Sequence, residues 1–212
     1  MTKKTLYDKR NSELKRSIVS GAVFSVLLAV ILALVIANGF FLIRIEVFKT
    51  SMYPTLDNKD IVYANKYRKP DYGDIVIISG EESEWIIKRV IGKEGDIVKI
   101  EGGYVYLKKS GEEAFNKLEE KYLAVQGKTP CRLGANLEES KIFYVGEKEI
   151  FYLGDNRTVS VDSRSSFGNC NTEQIVGVVP KWAVRHKDFN TAVYRVIVKI
   201  SQGITQLFGG KS

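Results

Sequence analysis

From Ile18 to Ile43 the chain carries no charged residue: the run reads IVSGAVFSVLLAVILALVIANGFFLI, 26 residues. As an α-helix at ~1.5 Å per residue it extends ~39 Å, enough to cross a ~30 Å hydrocarbon layer with some tilt. A soluble fold seldom buries so long a helix on every side, so residues 18–43 are expected to form a transmembrane helix. A cleaved secretory signal peptide is the competing reading, since the preceding segment is basic. The run exceeds the usual ~7–15-residue apolar stretch of such peptides, and no A-x-A exit follows it. An uncleaved signal anchor fits better.

The flanks set an orientation. Residues 1–17 hold Lys3, Lys4, Lys9, Arg10, Lys15 and Arg16 against Asp8 and Glu13, net +4, whereas only Arg44, Glu46 and Lys49 closely follow the run. The positive-inside rule makes residues 1–17 a cytoplasmic tail and puts everything after Ile43 on the extracellular face of a single-pass protein. Residues 186–212 hold Lys187, Arg195, Lys199 and Lys211 against Asp188, net +3 with His186 neutral. The whole chain is +7, so residues 18–185 are neutral. The basic balance thus belongs to two terminal segments and not to a nucleic-acid surface, and no nucleic-acid partner is expected.

Past the anchor the apolar pattern becomes strand-like. Runs rich in Ile, Val and Tyr recur between turn signals at 60–67, 73–79, 84–92, 95–109, 142–154 and 175–179. Gly102-Gly103 reads as a tight hairpin turn. Residues 44–185 are therefore expected to form a mainly antiparallel β domain, either a sandwich or a partly closed barrel. Residues 110–141 interrupt it. Ser110-Gly-Glu-Glu113 has capping-box spacing, and Ala114, Leu118, Tyr122 and Val125 follow at helical intervals, which predicts a short helix in a variable surface insertion. In 186–212, Val193, Val196, Ile197, Ile200, Ile204 and Leu207 share one helical face, apart from Arg195, Lys199 and Gln206. This amphipathic helix suits either an anionic membrane surface or the side of the β domain. Cys131 and Cys170 either pair, as an external location permits, or remain two thiols.

The chemistry is narrowed first by what is missing. His186 is the sole histidine, it lies outside any H-E-x-x-H pattern, and the cysteines lack zinc-site spacing, so no metal and no cofactor is expected. No phosphate-binding glycine loop or G-x-S-x-G elbow occurs, and a Ser-His-Asp triad would have to recruit His186. A serine can instead use a lysine as its base, provided burial lowers the ammonium pKa from its usual ~10.4. Lys88, within Trp85-Ile-Ile-Lys-Arg-Val-Ile91, suits this best, with Ile86, Lys88 and Val90 alternating with Ile87, Arg89 and Ile91. A surface lysine that merely snorkels over apolar neighbours has the same pattern. Ser51 lies just before Pro54 on a constrained turn a few residues past the anchor, and Gly154–Arg164 gathers Asp155, Arg157, Asp162 and Arg164 in a cluster suited to internal ion pairs.

Four segments, Ser51-Met-x-Pro-Thr-Leu56, Gly73-Asp-Ile-Val76, Lys88-Arg-Val-Ile-Gly92 with Gly95-Asp96, and Gly154-Asp-Asn-Arg-x-x-Ser-x-Asp-Ser-Arg164, together resemble in order and spacing the boxes of bacterial type I signal peptidases. The single N-terminal anchor is similar to the Gram-positive form. The resemblance implies a membrane-bound endopeptidase that cleaves signal peptides from exported preproteins, with Ser51 as nucleophile and Lys88 as general base. It implies that Ser160 orients Lys88, that Asp155, Arg157, Asp162 and Arg164 buttress the site, and that Met52 and Thr50 contact substrate. Small substrate residues would precede the cut, membrane lipid would surround the anchor, and the secretion machinery would be a partner. Lys49 departs from the family, which often has Gly or Ser two positions before the nucleophile, and Thr158-Val159 is less polar than expected. These departures would suit a peptidase specialised for surface-protein or pilin precursors. The alternatives are a non-catalytic, membrane-anchored assembly factor on the same scaffold, whose sequence signature would be a lost Ser or Lys, and a self-cleaving repressor, against which the anchor argues.

Overall fold

The computed structural model describes residues 3–80 and 84–208. Residues 209–212, with Lys211 of the expected C-terminal tail, lie outside the described residues. The chain divides into two units, one ending at Leu42 and the other beginning at Ile43.

The first unit is helix α1, Lys3–Phe41. Its stretch Lys15–Ala33 is long and apolar enough to cross a membrane. Side chains that would have to be buried in a soluble core are exposed, Phe24 by 68% and Leu32 by 57%. The helix stops short of the expected boundary. Leu42 and Ile43 open strand β1, Leu42–Glu46, where a β-branched Ile alternates with charged Arg44 and Glu46.

The second unit is mainly antiparallel β, as its sequence pattern implies. Its strands are β2 (Ile61–Asn65), β3 (Ile75–Ser79), β4 (Trp85–Lys93), β5 (Ile97–Glu101), β6 (Tyr104–Lys108), β7 (Asn116–Lys117), β8 (Lys141–Tyr144), β9 (Glu149–Leu153), β10 (Cys170–Asn171) and β11 (Ile175–Val179). One sheet runs β1-β2-β11-β3-β4-β9-β10 and the other β7-β6-β5-β8. Gly102 and Gly103 both take positive φ, 59° and 80°, in the tight turn that joins β5 to β6, a conformation glycine adopts without a Cβ penalty. Helices α2 (Lys181–Arg185) and α3 (Lys187–Phe208) follow the last strand.

The nine-residue strand β4 organises the larger sheet. It lies between β3 and β9, with Val76 opposite Lys88 and Leu153 opposite Arg89. Ile87 joins one buried cluster with Met52, Leu56, Val62 and Ile77. Ile91 joins a second with Val98, Phe151 and Leu153, while Val90 joins a third with Val76, Ile150 and Tyr152. A strand gripped on both faces has little freedom, so the side chains of Lys88 and Arg89 are held where the sheet puts them.

The insertion departs from expectation. Among the described residues of 110–141 there is no helix. Asn116 and Lys117 instead pair with Leu107 and Tyr106 as β7, and Leu118 N donates to Val105 O at 2.9 Å. The open edge of β6 supplies backbone partners that a lone short helix would have to do without. The helical stripe dissolves accordingly: Leu118 packs on the second cluster, while Val125 is 58% exposed. Cys131 and Cys170 are free thiols in separate buried clusters.

Candidate active site

Ser51 begins a compact turn. Tyr53 N donates to Thr50 O at 3.1 Å and Leu56 N to Met52 O at 2.9 Å. Met52 and Leu56 anchor the turn from beneath, at 1% and 0% exposure. Burying two such side chains stabilises the loop by roughly 1.5–3 kcal/mol each. Thr50 is exposed and Ser51 only half-buried. Just upstream, Lys49 takes φ +69°. That left-handed conformation disfavours any residue with a Cβ, so a glycine would be less strained at this place than Lys49.

Lys88 reaches this turn from β4. Its Nζ donates to Ser51 Oγ at 2.9 Å and to the Ile87 carbonyl at 3.1 Å. Among the described residues no carboxylate lies in ion-pair contact with it, although it is only 5% exposed. Burial pulls its pKa down to about 8; Asp162 and Asp155 oppose that pull, and the charge of Lys49 adds to it. At pH 7 a lysine with pKa near 8 is neutral in about one molecule in ten, against about one in three thousand for an ordinary lysine.

Around this pair lies a layer of ion pairs. Arg89 grips Asp155 with two bonds, Nε to Oδ1 at 2.8 Å and Nη2 to Oδ2 at 2.6 Å, and the Thr55 hydroxyl donates to Asp155 Oδ2. Arg164 grips Asp162 in the same forked manner, Nε to Oδ1 at 2.8 Å and Nη2 to Oδ2 at 2.9 Å. Its Nη1 donates to the carbonyls of Pro130 and Arg157. Asp162 Oδ2 also accepts from Gly154 N at 3.0 Å. Arg157 pairs with Glu120, Nη2 to Oε1 at 2.6 Å, and donates to Gly154 O and Thr129 Oγ1. Forked pairing of this kind fixes orientation as well as charge.

This layer is tied to the Ser51 turn through its first residues. Asn156 N donates to Ser51 O at 2.9 Å, and Asn156 Nδ2 to Thr50 O at 3.1 Å. Gly154 permits the approach, since a Cβ there would collide with the Ser160 side chain and with Ser51 O. Ser160 itself is buried, and its Oγ has no hydrogen-bond partner among the described residues. The bond to Lys88 that the family resemblance implies is therefore not formed here; Ile87 O is the second acceptor instead.

The structure brings Ser51 and Lys88 together, and it places Asp155, Arg157, Asp162 and Arg164 in one buried layer. It redistributes the pairs within that layer. Asp155 goes to Arg89 and Arg157 goes to Glu120, so only the Asp162–Arg164 pair is internal to the 154–164 segment. Sequence reasoning passed over Glu120, Thr129 and Tyr122, which belong to the insertion judged peripheral, and also Thr55 and Asn156.

A protein-family model described as signal peptidase, peptidase S26, matches residues 19–182. The chain is similar to "Signal peptidase I S" of Bacillus subtilis (strain 168), 35% identical over 173 residues that cover 79% of this chain and 89% of the relative. It is 36% identical to a "Signal peptidase I" of Bacillus amyloliquefaciens over 159 residues, 72% of this chain and 79% of the relative. Among solved structures it is similar to a signal peptidase I from Enterococcus faecalis V583, with 29% identity, a TM-score of 0.40, and coverage of 53% of this chain and 98% of that one.

Proposed function

The chain belongs to the signal peptidase family, peptidase S26, whose members are serine endopeptidases that remove signal peptides, and we propose that in this member Ser51 is the nucleophile and Lys88 the general base. The observation that carries this reading is the 2.9 Å contact between Lys88 Nζ and Ser51 Oγ, made by a lysine that burial brings to a pKa of about 8.

In its neutral form Lys88 accepts the Ser51 hydroxyl proton as Oγ attacks the scissile carbonyl carbon. The carbonyl oxygen becomes an oxyanion, stabilised by donors that include the Ser51 backbone N–H. Lys88 then passes its proton to the leaving amine as the C–N bond breaks. A water, deprotonated by the same amine, hydrolyses the ester and returns Ser51 to its free form. Ser160, whose buried hydroxyl has no hydrogen-bond partner among the described residues, would accept from the Lys88 ammonium once the site adjusts around substrate. Asp155, Arg157, Asp162 and Arg164 act as positioning residues.

The substrate binds as an added extended strand beside the Ser51 turn, with Thr50 at the surface and Met52 as the floor beneath small side chains. Helix α1 is the membrane anchor, surrounded by lipid. The charge asymmetry of its flanks puts residues 1–17 in the cytoplasm and the β domain outside, where a signal peptide emerges from the secretion machinery. Lys49 at the mouth of the site favours a restricted set of preproteins, such as surface-protein or pilin precursors.

The test is cleavage of a preprotein with an A-x-A exit by the full chain in detergent micelles. Ser51→Ala and Lys88→Ala should each abolish cleavage while the circular dichroism of the β domain is unchanged. Full activity in Lys88→Ala would rule the mechanism out.

A further inference from the structure

Helix α3 presents its apolar face away from the domain that holds it. Its inner side is set by three contacts. Lys187 Nζ pairs with Asp60 Oδ2 at 2.7 Å, Thr191 Oγ1 accepts from Ile61 N at 2.8 Å, and the Tyr194 ring lies 4.0 Å beneath the Arg44 guanidinium. At 100° per residue, Phe189, Val193, Val196, Ile197 and Ile200 form one stripe roughly 140° around the helix from that inner side. They are 68%, 38%, 55%, 57% and 58% exposed. Amphipathic helices ordinarily turn this face inward. Here a polar and aromatic side does the docking, and the apolar stripe is left outside.

We propose that this stripe lies on an anionic bilayer surface, as a peripheral membrane contact separate from α1. Two features select lipid over a second copy of the chain. Lys199 is exposed about 60° around the helix from Val196 at the margin of the stripe, where it would meet anionic headgroups. Connectivity supplies the second, and here the proposal rests on α1 being anchored. Arg44, which stacks on Tyr194, is only three residues past Phe41, the end of α1, and three extended residues reach about 10 Å. The helix is therefore kept close to whatever surface holds the anchor. In this position the stripe enters the headgroup boundary.

The full chain, reconstituted in vesicles of phosphatidylcholine and phosphatidylglycerol, provides the test. An environment-sensitive fluorophore is attached to the Ile197→Cys variant, and separately to Gln202→Cys on the polar side; Cys131 and Cys170 are 3% and 5% exposed and react little. The Ile197 label should be blue-shifted, quenched by a shallow doxyl lipid and shielded from iodide, while the Gln202 label stays open to iodide. Adding Val196→Asp and Ile200→Asp should release the Ile197 label to iodide without changing cleavage of a short soluble substrate. Equal iodide access at both positions would overturn the proposal, as would an Ile197 label shielded from iodide yet untouched by doxyl lipid, the mark of a second copy covering it. A fluorophore on Leu27→Cys checks α1 on its own, so a quenched Leu27 label beside an exposed Ile197 label overturns the α3 contact alone.

Discussion

Lys88 and Arg89 are consecutive residues on one strand, both cations, both nearly buried, and the domain treats them in opposite ways. Arg89 meets Asp155 in a forked pair; burial alone would lower its pKa, but the bonds and charge of Asp155 outweigh that and raise it. Lys88 meets a hydroxyl and a backbone carbonyl, and burial prevails. The difference is therefore not depth but the carboxylate within contact distance of one cation and withheld from the other. Around Arg89 the fold builds a rigid ion-pair layer; at Lys88 it leaves a cation without a counter-ion in contact among the described residues, destabilised as an ammonium.

The largest effect should come from removing the counter-ion on the Arg89 side. Asp155→Asn keeps the shape but leaves a buried guanidinium uncompensated, and should cost about 3–5 kcal/mol in denaturant unfolding followed by Trp85 and Trp182 fluorescence. A loss near zero would mean that the two cations are not treated differently after all.

On the Lys88 side the sign reverses. The folded-state pKa of about 8 lies below the unfolded value of 10.5, so the unfolded chain binds more protons between them. The penalty is fully present below pH 8 and is relieved as pH rises toward 10.5. Lys88→Met should therefore abolish activity yet stabilise the domain at pH 7 by up to about 3 kcal/mol, a gain that fades across that window.

Glu120→Gln asks whether the insertion belongs to the layer. Arg157 would retain Gly154 O and Thr129 Oγ1 but lose its carboxylate, at a cost of about 1.5–3 kcal/mol. Unchanged stability would return the insertion to the periphery. The smallest effect concerns Lys49, which is exposed and acts through charge. Lys49→Gln should move the acid limb of the kcat/KM profile to higher pH, less so in high salt.

Much of this was legible in the sequence, for identifiable reasons. The strands around Lys88 and the Gly102-Gly103 turn announce themselves through local pattern and backbone chemistry. Ser51 and Lys88 are 37 positions apart, and no local rule joins them; the ordered family boxes do. The expected internal ion pairs of 154–164 are met only by Asp162 with Arg164, because the sheet register places Leu153 opposite Arg89 and so delivers Asp155 to that arginine. The insertion was misread as helix because Ser110–Val125 has helical spacing, while the competing demand, an unpaired edge on β6 and a buried Arg157 in need of Glu120, is visible only in three dimensions. For α3 the amphipathic pattern was right, but which face docks was decided by Thr191, Tyr194 and Lys187.

The central claim is that Lys88 is a base because it is buried without a counter-ion. The most direct measurement is the titration of the Lys88 side-chain nitrogen by NMR in the full-length Ser51→Ala protein, with Lys88→Met to assign the signal. A midpoint near 8 is the predicted result; a midpoint at the ordinary 10.5 would contradict the account.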